Sequence, residues 1–182
     1  VYSCHKIEEV GDKGIMELGE TIADEIAFEI EKAQAQDILD KVTLIGHSCG
    51  GLVLRAALTH LEQFKDVLHG FVTLATPHYG YLHSKSRILS IGMWAVSRVT
   101  KNPTVAEMRL SDSNDITETT LYKLSEKAGL EWFKYVLLIG SHQDSYAPLE
   151  SALIQISERS QTYKHADAYK YMCNNLQSKL KN

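Results

Sequence analysis

The sequence is poor in the features that mark several protein classes. No apolar run approaches the ~18 residues a membrane-spanning helix needs, and no signal peptide opens the chain. Cysteine is scarce. Cys4, Cys49 and Cys173, in 182 residues, are too few and too scattered for a disulfide framework or a zinc site, which points to a reduced, intracellular and cytoplasmic setting. There is no basic excess: 19 Lys and Arg face 23 Asp and Glu, a net charge of −4. Nucleic acid and anionic membrane both reward a basic face, so neither is expected as the main partner, although peripheral membrane association stays open. Neither GxGxxG nor GxxxxGK[ST] occurs, which leaves a nucleotide-binding α/β domain without its phosphate loop. No metal or cofactor is expected. The chain also starts at Val1 without a methionine, on Val-Tyr-Ser-Cys, which reads as the tail of a strand and suggests a piece of a longer protein.

What remains is ordinary for a globular domain, with 44% hydrophobic and 23% charged residues, enough to bury one sizeable core. From Met16 to about Ala35, Leu18, Ile22, Ile26, Ile30 and Ala33 recur at three and four residues, predicting an amphipathic helix. Val42–Gly46, Gly70–Ala75 and Tyr135–Gly140 are short, nearly continuous apolar runs, as in a parallel sheet covered on both faces. A helix after the first run reaches about Phe64, Pro77 stops the second strand, and a short helix spans Thr119 to Lys127. The part after Leu149 is mostly helical. Strands alternating with helices predict an α/β fold with a parallel sheet, incomplete at both ends. Residues 81–115 are irregular, glycine-broken and interrupted by Pro103, and are expected to form a cap or lid insertion in a single partial domain spanning 1–182.

The most informative stretch is Val42-Thr43-Leu44-Ile45-Gly46-His47-Ser48-Cys49-Gly50-Gly51. A buried strand runs into Gly-x-Ser-x-Gly and then into an apolar helix, the context in which that motif is a nucleophile elbow. Ser48 would sit in a strained turn at the positive end of a helix, with Gly46 and Gly50 sparing collisions with the adjoining elements. A hydroxyl nucleophile needs a base, a group orienting that base, and two oxyanion donors. The N–H of Cys49 is the expected first donor, and no loop within the chain supplies the second. Asp144 lies just past the third strand, where the acid of such a site belongs; the alternative is an Asx-turn cap before Pro148. Among eight histidines, only His165 follows Asp144, and no strand lies between them to carry it to the sheet edge. His47, within the turn, points aside and is assigned with Met93 and Trp94 to substrate binding. Those two belong to the apolar set Ile88, Leu89, Ile91, Met93, Trp94 and Val96 of the expected lid.

Leu44–Arg55 resembles the elbow of the lipase-like serine esterases, an α/β-hydrolase family with large eukaryotic "family with sequence similarity" members. The resemblance continues through Gly19–Glu25, Thr76-Pro77-His78-Tyr79-Gly80, Gly92-Met93-Trp94, Leu121–Ser125 and Val136–Pro148. It implies an α/β-hydrolase-type sheet and acyl ester hydrolysis with Ser48 as nucleophile and Asp144 as acid. It further implies that the catalytic histidine lies beyond Asn182 and a second oxyanion loop before Val1, so that the chain by itself would be inactive. Cys49 departs from the leucine or methionine more usual there.

Two functions are therefore expected. One is a serine esterase or lipase acting on an acyl ester or lipid through an acyl-serine intermediate, completed by the remainder of a larger parent chain. The other is a catalytically inactive hydrolase-fold module serving as an interaction scaffold.

Overall fold

A computed structural model describes residues 1–4, 12–81, 102–144, 146–156, 158 and 165–180. The first helix, α1 (Ile15–Ala35), follows the three-and-four spacing of its apolar residues and buries Ile15, Leu18, Ile22, Ala23, Ile26 and Ile30. Its N-terminal amides are met by carboxylates, as an orphaned helix start requires. Gly14 N–H donates to Glu17 Oε2 at 3.2 Å and Ile15 N–H to Glu107 Oε2 at 2.7 Å. Glu107, from far along the chain, also accepts from the Thr120 hydroxyl at 3.1 Å. Burial pushes its carboxyl above the usual range, against the pull of those two donors.

Strand β1 (Val42–His47) leads into α2 (Cys49–Leu58), which packs on the sheet and against α1. The α1–α2 crossing is close because of Gly19: a Cβ there would stand 2.4 Å from Ala56 Cβ and 2.9 Å from Ala57 N. After a 3-10 turn at Glu62–Phe64 comes β2 (Leu68–Leu74). Next described is α3 (Pro103–Met108), where Asn102 caps the Thr104 N–H at 3.0 Å. Then follow α4 (Thr120–Glu126), β3 (Tyr135–Ile139), α5 (Leu149–Ala152) and α6 (Ala166–Lys179). α4 and α6 pack together, with the Tyr122 and Tyr171 rings stacked at 4.9 Å.

The sheet is parallel, in the order β1-β2-β3. His47 pairs with Leu74, and Leu74 with Ile139. Ser48 N–H continues the ladder to Leu74 O and Ala75 N–H to Ile139 O, both at 2.8 Å. The three strands therefore end level, and their loops leave from one edge.

Several expectations are corrected. Val1–Cys4 has no strand. The elbow helix stops at Leu58, well short of Phe64. Pro103 begins a helix, its fixed φ and missing N–H suiting the first position. The sheet is not covered on both faces by described residues. Leu44 and Phe71 are buried on one face with Thr73, whereas Ile45 is 66% exposed and Leu137 54% exposed on the other. Of the expected lid, residues 82–101, with Met93 and Trp94, lie outside the described residues. In the part from 102 onward, Thr104 Oγ1 donates to Lys13 O at 3.0 Å, which leaves the lid expectation neither supported nor overturned.

The loop after β2 is held from beneath by a buried cation. Arg55, on α2, donates to His78 O at 2.6 Å and Leu124 O at 3.1 Å. Burial alone brings its guanidinium down to about 9, so it remains charged at neutral pH. The His78 ring is fully buried with Nε2 at 3.0 Å from Thr73 Oγ1, and its Nδ1 has no partner among the described residues. Burial, and then the Arg55 charge, hold it well below the usual histidine range.

Two outcomes are expected. Gly19→Val forces the α1–α2 crossing apart and costs about 1–3 kcal/mol in urea denaturation. Because folded His78 stays neutral while the unfolded chain takes a proton below pH about 6.5, the unfolded state binds more protons there. Stability then falls with pH by up to about 1.4 kcal/mol per unit below that point. His78→Asn is expected to remove that share of the slope between pH 7.5 and 5.5. Equal slopes in both proteins contradict the buried neutral imidazole.

Candidate active site

The level strand ends put three loops side by side: Ser48 after β1, Thr76–Tyr81 after β2 and Ser141–Pro148 after β3. The middle loop therefore separates the candidate nucleophile from the candidate acid.

Ser48 occupies the reversal between β1 and α2 with φ 53° and ψ −129°. That conformation is sparsely populated for any residue with a side chain and costs on the order of 1–3 kcal/mol. The surrounding contacts hold it there. A Cβ at Gly46 would lie 2.6 Å from Gly51 Cα and 2.7 Å from Gly51 N, so the strand end and helix start touch through their backbones. The second indispensable glycine is Gly51, where a Cβ would fall 2.2 Å from Thr76 Oγ1. Gly50, expected to be the second, faces open space. The difference is helical phase: Gly50 points outward from the first turn of α2, and Gly51 points toward the β2 loop.

Ser48 stands at the N-cap of α2, where serine ordinarily spends its hydroxyl on an orphan helix amide. Here its side chain makes no capping bond. The Ser48 carbonyl instead accepts from Gly51 N–H at 3.2 Å and from Thr76 Oγ1 at 2.9 Å. The Ser48 Oγ has no hydrogen bond among the described residues. Cys49 is the first residue of α2, so its N–H has no acceptor within the helix. It is exposed, and Cys4, Cys49 and Cys173 are all unpaired.

Asp144 is half-buried in the loop after β3. Its Oδ1 accepts from Tyr146 N–H at 2.7 Å and Ala147 N–H at 3.1 Å. The Asx-turn alternative is therefore physically present. Both bonds use the same oxygen, and Oδ2 has no hydrogen bond among the described residues.

The remaining candidates are not gathered here. His47, exposed at the end of β1, lies on the sheet face that no described helix covers. His165 is the N-cap residue of α6, and His142 is exposed in the acid loop. Among the described residues no histidine is hydrogen-bonded to Ser48 or Asp144, and no group of three or more His, Cys, Asp or Glu could hold a metal ion. No described helix is long and apolar enough to cross a membrane.

Two residues at this edge escaped the sequence reading. Thr76, fully buried, bonds the Ser48 carbonyl. Tyr81, whose N–H donates to Met108 O at 2.9 Å, has its phenol pushed up to about 12, first by burial and then by Cys49 and Asp144 where they are ionised. Position in the middle loop, between two motifs already recognised, was the available clue.

Among solved structures, the chain is similar to the Bacillus licheniformis lipase BlEst2 in its propeptide form. The two are 21% identical with a TM-score of 0.43, over 70% of this chain and 26% of that one. The chain thus spans about a quarter of that lipase. A sequence model of the family described as "Putative serine esterase (DUF676)" matches residues 3–161, and the chain belongs to that family.

Proposed function

We propose that the chain carries the nucleophile and the acid of a serine hydrolase of the esterase or lipase type, cleaving a carboxylic ester. The observation that carries this reading is the Ser48 turn. A serine in a strained conformation, at a helix N-terminus, with its hydroxyl withheld from capping, matches what nucleophilic catalysis needs and what a structural cap does not.

In this proposal Ser48 Oγ attacks the ester carbonyl and its proton passes to a histidine. That histidine is left to a part of the protein outside the described residues. Asp144, its Oδ1 fixed by the turn, orients the histidine with Oδ2. The Cys49 N–H donates to the developing oxyanion, a contribution of about 3 kcal/mol in comparable sites. The tetrahedral intermediate collapses, its bond to the alcohol oxygen breaking as the carbonyl re-forms in an acyl-serine; the alcohol leaves with the proton from the histidine, and water repeats the sequence on the acyl-serine to release the acid and regenerate Ser48. The substrate is proposed to be an acyl ester, lipid or smaller, with Met93 and Trp94 at its wall.

One observation favours the alternative of a catalytically silent scaffold: no described histidine is bonded to Ser48 or Asp144. The two readings separate on the full-length protein with a fluorophosphonate probe. Ser48 is expected to be labelled, Ser48→Ala to abolish the labelling, and Asp144→Asn to lower kcat on a p-nitrophenyl ester by about 10²–10⁴-fold. A folded full-length protein that takes no label overturns the enzyme reading.

A further inference from the structure

The bond between Thr76 and Ser48 matters for a group neither residue owns. The Ser48 carbonyl and the Cys49 N–H belong to one peptide unit. The described residues contain no cis peptide bond, so in that planar trans unit the N–H points opposite to the C=O. Whatever fixes the carbonyl therefore aims the amide. Two donors fix it, Thr76 Oγ1 at 2.9 Å and Gly51 N–H at 3.2 Å. An amide whose oxygen accepts hydrogen bonds is also polarised, which makes its N–H a stronger donor.

Thr76 is well placed for this. It is fully buried, so its hydroxyl is not shared with solvent. It follows Ala75, whose φ of 52° turns the chain sharply at the end of β2. The missing side chain at Gly51 leaves the space its Oγ1 occupies. Below it, Arg55 and the buried His78 anchor the rest of the loop. The adjacent strand ends at Ser48 and Ala75 thus both carry left-handed residues, and the Thr76 hydroxyl links them.

We propose that Thr76 is a positioning residue of this site: its hydroxyl holds and polarises the Ser48–Cys49 peptide so that the Cys49 N–H points at the oxyanion. The inference rests on the serine-hydrolase reading above and adds to it a residue acting through the backbone. It assigns Thr76 an effect on the transition state rather than on substrate affinity, because the oxyanion exists only during reaction.

The test compares wild type, Thr76→Val and Thr76→Ser in the full-length protein. Thr76→Val keeps the shape and removes the donor, and is expected to lower kcat and the fluorophosphonate labelling rate at Ser48 by about 10–100-fold, with KM within a factor of about 3. Thr76→Ser restores the hydroxyl and is expected to return both rates toward wild type. A second readout needs no activity: the Cys49 amide proton in a ¹⁵N-cysteine spectrum, assigned by its loss in Cys49→Ala. It is expected to move upfield in Thr76→Val and to return in Thr76→Ser. Should Thr76→Val fail to fold, Thr76→Ala gives the same comparison. Wild type that labels, with Thr76→Val labelling as fast or with an unmoved Cys49 amide, overturns the role of Thr76 alone. Wild type that never labels overturns the hydrolase reading and the catalytic meaning of Thr76 with it.

Discussion

Everything at the candidate site depends on two backbones being allowed to touch. The end of β1 and the start of α2 approach so closely that a single carbon at Gly46 would enter the space of Gly51. That approach forces the chain to reverse within one residue, and the residue caught there is Ser48. Its conformation is costly in isolation. It persists because both of its peptide groups are engaged, the N–H on the sheet ladder at Leu74 and the carbonyl by Thr76 and Gly51. Strain and compensation lie within one turn, so a change at Gly46, Gly51 or Thr76 is felt at the serine without any contact to substrate.

The parallel register extends this constraint outward. Since His47, Leu74 and Ile139 end level, the serine turn and the acid loop flank the β2 loop. Residues in that middle loop can reach the neighbouring turn, as Thr76 does by its hydrogen bond to the Ser48 carbonyl. A loop with so many obligations needs a rigid base. Arg55 supplies part of it with two charge-assisted bonds to backbone carbonyls, which are stronger and more directional than neutral ones. A buried guanidinium here ties α2, the β2 loop and α4 into one body.

Much of this was legible in the residues. The three-and-four spacing of Leu18, Ile22, Ile26 and Ile30 outlines α1, and the apolar runs locate the strands of a parallel sheet. The Gly-x-Ser-x-Gly turn marks Ser48 through its neighbours alone. What was not legible depends on phase or on partners distant in the chain. Ile45 and Leu137 belong to apolar runs like those of fully covered strands, and composition does not reveal which face a helix will cover. Gly50 and Gly51 are adjacent and chemically identical, and only the rotation of α2 decides which meets Thr76. Glu107 reads as an ordinary surface acid until the fold brings it to the α1 amides. Met93 and Trp94 fall outside the described residues, so their place in a substrate wall rests on sequence alone.

Asp144 shows how two readings of one residue can both hold. A carboxylate that orients a histidine must present one oxygen in a fixed direction. A free side chain on a loop would rotate about χ1 and χ2 and lose part of its effect to entropy. The Asx-turn removes that freedom by securing Oδ1 with two amides from the same loop, leaving Oδ2 at a defined position beyond it. The turn is then the means by which the loop after β3 would deliver an oriented acid, and not a competitor to it. The same logic applies at Ser48: its backbone is secured first, by the Leu74 carbonyl, Thr76 and Gly51, and in the proposed reaction the hydroxyl that makes no capping bond is the group that reacts.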